Sequence, residues 1–294
     1  MHKTTYRFFL TSIIFIFYIP LKAEYPLNNS TTVSRSSKEI KFMVGFKGGI
    51  TFTQPLVSHK YNVVNQIDNA TAISGIKDYN PLYQNIGYQY AFTALYKLTK
   101  AIDIRIEPAI ANYVYKYRAE YSWTGTGANT DRVDMSIDHR QSLNYVEMPV
   151  TLRYLYGSGK MRPFVQGGIF YGFLLNAIKS SQKEETYTNA SGTSTLNSSR
   201  ETGDATPVYV KSRYGFNAGA GIDYDLSAVY LTLDINLNFG INQIINEAGR
   251  YSVQQFSGGL YDVQDNLRLL VPSINIGIIF PLKKPARSKV VCEY

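Results

Sequence analysis

The strongest constraint on the fold of this chain is a long segment in which apolar and polar residues alternate one by one. Within residues 229–242, the odd-numbered residues are Val, Leu, Leu, Ile, Leu, Phe and Ile, and the even-numbered residues are mostly polar. A period of two residues predicts a β-strand with one apolar and one polar face. The segment has 14 residues, whereas strands of soluble proteins usually have ~5–6 residues.

Segments of the same kind recur along the chain, and the connections between them alternate in length. The predicted strands are residues 41–53, 84–98, 102–122, 142–156, 161–177, 209–225, 228–242 and 267–281. Short turns lie at 99–101, 157–160 and 226–227, and long polar loops lie at 54–83, 123–141, 178–208 and 243–266. This pattern is typical of outer-membrane proteins. We predict an all-β fold, an eight-stranded antiparallel transmembrane β-barrel with short periplasmic turns and long extracellular loops.

Each short turn also predicts which residues lie opposite each other. A slip of one residue would move every side chain to the other face of the sheet, yet all three turns keep apolar residues on the same face. The predicted apolar partners are Tyr96 with Ile104, Tyr154 with Pro163, and Tyr224 with Val229. On the opposite face, the turn at 99–101 places Lys97 across from Asp103, which predicts an ion pair between them.

The aromatic residues, which make up 14% of the chain, form two bands on the predicted apolar face, as Tyr and Trp do at membrane interfaces. Tyr115 and Tyr117 join the band at the long-loop end only if a β-bulge between residues 110 and 113 reverses the third strand. The alternative is a secreted β-sandwich, whose apolar face would be covered by a second sheet. It should have shorter strands and loops of equal length at both ends.

The two ends of the chain differ from the predicted barrel at 41–282. Residues 1–23 have a basic start, a short apolar run and a small residue before Glu24, which predicts a secretory signal peptide. Residues 24–40 are predicted to be a flexible periplasmic lead-in, and 283–294 a basic periplasmic tail. The net charge is +8 for the whole chain. Much of the excess outside the leader lies in this tail, which argues against a nucleic-acid partner.

Residues 145–175 carry a more specific pattern: an aromatic-x-Glu-x-Pro strand, a tight turn, and a second strand that starts Pro-aromatic-Val and contains glycines. The residues concerned are Glu147, Pro149, Pro163, Phe164, Val165, Gly167 and Gly168. This pattern, with the opening strand KFMVGFKGGITFT, resembles the PorT-like outer-membrane β-barrel family of Bacteroidetes-type bacteria. The resemblance implies the barrel architecture and, from some family members, a role in type IX protein secretion or gliding.

The last predicted strand carries a pattern for membrane insertion. Asn275, Gly277, Phe280 and Leu282 fit the spacing polar-x-Gly-x-x-aromatic-x-hydrophobic, by which outer-membrane proteins are recognised for assembly. We therefore expect the β-barrel assembly machinery as a partner during insertion, besides the lipid of the outer membrane. The pattern usually ends the chain, whereas here twelve residues follow it. An ordinary amphipathic strand is the alternative interpretation.

The polar face of the predicted strands carries charges of both signs. An eight-stranded barrel is just wide enough for its side chains to fill it, and an unpaired charge inside would be costly. We therefore predict a structural network of lumen charges rather than an ion path. Its predicted members are Lys97, Asp103, Arg105, Glu107, Glu147, Arg153, Asp223 and Asp234, together with Lys47 and Arg213.

Little in the sequence indicates an enzyme. Outside the leader, the histidines are His59 and His139, both in or beside predicted loops, and Cys292 is the single cysteine. Asp138 and His139 have the types of an acid–base pair, but neighbours on a strand point to opposite faces. We predict no catalytic residue, no cofactor and no metal. The predicted function is a non-enzymatic outer-membrane protein, an accessory of protein secretion or envelope assembly. The alternative is a small passive pore or ligand-binding barrel, and the third candidate is an outer-membrane enzyme.

Overall fold

The computed structural model describes residues 41–61, 73–125, 131–157, 159–250 and 262–282, so the predicted segments 1–23, 24–40 and 283–294 lie outside the described residues. Strand structure dominates this part of the chain, which confirms the all-β prediction. Its strands are β1 (Phe42–Phe52), β2 (Gln54–His59), β3 (Ile73–Tyr79), β4 (Ile86–Lys97), β5 (Ile102–Ile106), β6 (Ala109–Thr124), β7 (Arg132–Leu155), β8 (Met161–Thr188), β9 (Ser194–Asp204), β10 (Ser212–Asp225), β11 (Tyr230–Gly240) and β12 (Asn266–Pro281). Two short 3-10 turns, Leu82–Gln84 and Thr206–Val208, lie between them.

The sheet closes into a ring because β1 pairs with both β4 and the last strand, β12. From β4 the ring continues through β5 and β6 to β7, and then through β8, β10, β11 and β12. β5 and β6 together occupy one position in the ring. They are separated at Glu107 and Pro108, because proline has no N–H to donate to the neighbouring strand. The ring therefore has eight positions, as the alternation predicts.

Three of the predicted long loops contain strand structure, contrary to prediction. Residues 123–141 belong largely to β6 and β7, and 178–208 form a hairpin of β8 and β9 rather than an irregular loop. β3 pairs with the far part of β6, and β2 pairs with the start of β12. We call β3, β9, residues 112–124 of β6, 132–144 of β7 and 177–188 of β8 the distal sheet. Ser, Thr and charged residues occupy both faces of β9 and of the far part of β8, so the pattern gives no signal there. The far part of β7 does alternate, with Met135, Ile137 and Leu143 buried on its inward face, and this signal could have predicted the strand.

The short turns keep the predicted faces, but two of the three predicted registers are wrong by two residues. Tyr96 lies opposite Ile104 and Lys97 opposite Asp103, as predicted. Tyr154 lies opposite Val165 instead of Pro163, and Tyr224 opposite Leu231 instead of Val229. Each turn is centred one residue later than predicted, because the Leu226 N–H bonds to Val229 O and the Tyr156 N–H bonds to Pro163 O. The left-handed residues of the turns are Ser227, with φ 72°, and Gly157, with φ 76°.

The predicted bulge in the third strand is also wrong. The odd-numbered residues of β6 point inward along its whole length, so Tyr113, Tyr115 and Tyr117 are buried inside rather than exposed at the interface. The change of face occurs in β8 instead, where the register against β7 shifts between Asn144 and Tyr145. On β8 the odd-numbered residues face outward up to Leu175 and inward from Ala177.

The outward face of the ring is apolar and exposed, as a surface in contact with lipid requires. Ile169, Ile235 and Ile276 are each about 60% exposed. Aromatic side chains flank this band at the short-turn end (Phe42, Tyr96, Tyr154, Tyr156, Tyr224 and Phe280) and at the long-loop end (Tyr88, Tyr90, Tyr171, Phe173, Tyr214 and Phe216). Within the described ranges, no helix has the length and hydropathy needed to cross a membrane.

Two neighbouring glycines of β8 allow a direct test of the inward and outward faces. A Cβ atom on Gly168 would contact the carbonyl oxygen of Val150 and lie 2.7 Å from Cα of Thr151, whereas a Cβ on Gly167 would meet only one atom, at 4.0 Å. Overpacking of this kind costs roughly 1–3 kcal/mol.

We therefore expect Gly168→Ala to lower the temperature at which the compact band on a gel converts to the unfolded band. Gly167→Ala, the matched control, should leave that temperature unchanged or raise it, since alanine loses less entropy on folding than glycine. Equal effects of the two substitutions would contradict the assigned faces.

Candidate functional site

The interior of the ring is filled by charged and polar side chains, which lie at successive levels along the barrel. At the level nearest the short turns, Arg153 forms a two-point ion pair with Asp103, with N–O distances of 2.6 and 2.8 Å. The same guanidinium lies 3.2 Å from Asp223 and 4.5 Å from the ring centre of Phe164. Arg153 and Asp103 are fully buried.

The predicted ion pair of Lys97 with Asp103 is wrong, although the two residues do lie opposite each other. Asp103 is instead bound by Arg153 from the other neighbouring strand. Lys97 Nζ lies 5.9 Å from the ring centre of Tyr230, near the mouth of the barrel. A guanidinium can bind both carboxylate oxygens at once, which the single ammonium of lysine does less well.

The next level is a group of two cations and two carboxylates. Lys47 Nζ lies 3.0 Å from Glu107 and 2.6 Å from Asp234. Arg105 lies 3.3 Å from Glu107 and 3.4 Å from Asp234. Each carboxylate therefore contacts both cations, and Thr93 donates a further hydrogen bond to Glu107. Such reciprocal pairing offsets the large cost of removing four charges from water.

At the third level, Arg213 pairs with Glu147, and both are buried. The Tyr113 hydroxyl donates to Glu147 at 2.6 Å, and the Arg213 guanidinium lies over the rings of Tyr113 and Phe170. A tyrosine that points inward thus completes the coordination of a lumen carboxylate. Between the second and third levels, the interior holds a cavity of about 30 Å³ lined by residues that include Lys47, Glu107 and Asn236.

A fourth group closes the interior at the long-loop end. Asp262 lies 2.6 Å from Lys179 and 2.9 Å from Lys77, and it also accepts a hydrogen bond from Tyr117. These groups lie beyond the apolar band, in the loop before β12 and in the distal sheet. Burial alone would raise the pKa of Asp262, but Lys179 and Lys77 hold it well below its usual range.

His139, which follows Asp138 in the sequence, lies beside this group. Asp138 points outward to Arg118, whereas His139 is buried and its Nδ1 lies 2.7 Å from Ser181 Oγ. Burial lowers the pKa of His139 to about 3, so the imidazole is neutral at pH 7. A serine beside a histidine has the residue types of a nucleophile and its base, but both side chains are only 2% exposed and no substrate can reach them.

The same side chains do not form a metal site. In the described ranges, no three His, Cys, Asp or Glu residues are arranged to hold a metal ion. The carboxylates of the interior are instead bound by lysine and arginine. The arrangement therefore neutralises buried charge, and its side chains fill most of the ring.

The four residues of the predicted assembly pattern divide between the two faces of β12. Asn275 is buried and its amide donates to Asp234 at 2.8 Å, so it belongs to the lumen network. Gly277 lies opposite Lys47 on β1, while Phe280 and Leu282 are exposed on the outward side.

The comparisons with known proteins give one family match. A family model described as an outer membrane protein beta-barrel domain matches residues 21–246. No curated protein sequence matches the chain.

Solved structures resemble the chain only distantly. Neisserial surface protein A is 8% identical, with a TM-score of 0.35, covering 82% of this chain and 97% of that one. Ail, the attachment invasion locus protein of Yersinia pestis, is 7% identical, with a TM-score of 0.30 and coverages of 82% and 99%. The N-terminal beta-barrel domain of Pseudomonas aeruginosa OprF is 10% identical, with a TM-score of 0.27 and coverages of 81% and 97%.

The pairing of Arg153 with Asp103 can be tested by a double-mutant cycle. Asp103→Asn and Arg153→Gln should each destabilise the folded barrel by roughly 3–5 kcal/mol, because each leaves a buried charge uncompensated. The double variant should lose less than the sum of the two losses. The measurement is the urea midpoint of refolded protein in vesicles. Simple additivity would show that the two side chains do not interact.

Arg132 provides the matched control for this cycle. It pairs with Asp134 at 2.7 Å, but the two side chains are 56% and 40% exposed. Exposed pairs contribute ~0–1 kcal/mol, so Arg132→Gln should change stability by no more than that.

Proposed function

The chain belongs to the outer membrane protein β-barrel family and resides in the outer membrane, and from this premise we propose that it is a sealed, non-enzymatic barrel. In this proposal, the barrel anchors the distal sheet at the cell surface, where it serves as an accessory of protein secretion or envelope assembly. The short turns face the periplasm. Asn275, Gly277, Phe280 and Leu282 are read by the assembly machinery during insertion.

The observation that carries the proposal is the packing of the interior. Charged groups cross the lumen at three levels, and the cavity between the second and third levels has a volume of about 30 Å³, which is room for about one or two water molecules. A solute could pass only if several buried ion pairs separated at once. This supports a closed barrel over a passive pore.

Two further observations support a role at the surface. Residues 132–144 of β7 continue beyond the apolar band for roughly 40 Å, at ~3.4 Å per residue. They pair with neighbouring strands throughout, so the distal sheet is a continuous surface rather than a set of separate loops. The resemblance of residues 145–175 to the PorT-like family supports secretion as the process served.

The orientation can be tested by labelling cysteines on intact cells. In a Cys292→Ser background, Ser191→Cys at the tip of the β8–β9 hairpin should react with a membrane-impermeant maleimide. Gly159→Cys, in a short turn where an added Cβ meets no atom within 4 Å, should react only after the outer membrane is permeabilised. The reverse pattern would overturn the orientation.

The sealed barrel and its role can be tested separately. Purified protein in planar bilayers should show no stable conductance steps. Among single substitutions, Arg153→Gln should be the one that most readily produces such steps, because it removes a guanidinium that fills the lumen. A strain that lacks the gene should be impaired in protein secretion or envelope integrity. A conducting wild-type protein together with normal secretion would favour the pore.

A further inference from the structure

One cross-strand row on the outward face of the distal sheet has an unusual composition. Lys116 of β6 lies directly opposite Arg140 of β7, Arg140 opposite Ser180 of β8, and Ser180 opposite Thr202 of β9. Residues that lie directly opposite share a face, so two cations and two hydroxyl groups stand side by side. The Ser180 and Thr202 hydroxyls are 3.1 Å apart.

The charges of this row are not balanced within the distal sheet. In the next row away from the membrane, Arg118 is paired with Asp138 through two contacts of 2.7 and 2.8 Å. By contrast, Lys116 and Arg140 make no ion pair with any residue that the structure describes. Like charges directly opposite each other destabilise a sheet, so an anion bound between Lys116 and Arg140 would relieve their repulsion.

The row lies just beyond the aromatic band at the long-loop end. Asn112, Asn144 and Asn176 form a chain of side-chain hydrogen bonds of 2.7 Å across three strands, level with Tyr88 of the aromatic band. Lys116 follows Asn112 by four residues, which at the usual strand tilt of ~40° is roughly 10 Å along the membrane normal. Lysine and arginine side chains are long enough to reach back toward the headgroups from there.

We propose that the Lys116–Arg140–Ser180–Thr202 row is a binding site for a phosphate group of a membrane lipid. The two cations would contact phosphate oxygens. One hydroxyl of the hydrogen-bonded Ser180–Thr202 pair would donate to the same group, while the other donates to its partner. The proposed orientation makes this a lipid of the outer leaflet. The binding site itself does not depend on the orientation, so it can be tested in detergent solution.

The test uses full-length protein in an uncharged detergent and lipid A, a glycolipid with two phosphates, as the probe. Added lipid A should raise the unfolding temperature of the wild type in a saturable way, which gives an apparent Kd. The double variant Lys116→Gln/Arg140→Gln should bind at least tenfold more weakly. The control variant Arg132→Gln should bind lipid A within twofold of the wild type. Arg132 is an exposed arginine on the same strand as Arg140, and it is already paired with Asp134.

The unfolding temperature of Lys116→Gln, measured with and without lipid A, separates loss of lipid binding from a simple loss of stability. Without lipid A, Lys116→Gln should not lower the unfolding temperature, because it removes a repulsion. With lipid A, the same variant should be less stable than the wild type. Equal binding by the wild type and the double variant would overturn the proposal. Equal stabilisation by inorganic phosphate and lipid A at the same concentration would overturn the lipid as the source of the phosphate.

Discussion

The structure depends on the pairing of charge inside a ring that its own side chains almost fill. Eight positions fix the diameter, and the diameter leaves no room for a hydrated ion next to Arg153 or Arg105. Each of these guanidiniums therefore contacts two carboxylates and lies against Phe164. The outward face has the opposite requirement, since lipid offers no hydrogen bonds and only apolar side chains are favourable there.

The need for paired charges in the lumen and for apolar side chains toward lipid explains which parts of the fold the sequence predicts. Because lipid and lumen alternate along every membrane strand, residues such as Leu231 and Asp234 reveal their faces directly. The alternation therefore predicts the eight positions and the inward direction of Glu107, Glu147 and Asp223. The two incorrect registers do not disturb it, because a shift of two residues preserves the face.

The remainder could not be predicted, because its determinants are not in the alternation. Tyrosine suits both a membrane interface and a polar interior, so Tyr115 and Tyr117 were compatible with either face. The charged even-numbered residues beside them, Lys116 and Arg118, were the better indicator of the solvated side. The partner of Asp103 depends on three strands at once, and no single hairpin reveals it. The β8–β9 hairpin was missed because water accepts polar residues on either side of a strand, whereas the alternation of Met135, Ile137 and Leu143 with polar residues could have predicted the far part of β7.

The pairing of β1 with β12 has a consequence for how the molecule is made. Met43 lies opposite Pro281, so the contact that closes the ring joins residues more than 200 positions apart. Contacts of such high order form late in folding, because the loop entropy must be lost before they contribute. Until β12 is synthesised and paired, β1 and β11 each present an open edge that can pair with another chain. Closure of the ring therefore requires the last strand, β12, and a chain truncated before Asn266 cannot form the closed barrel.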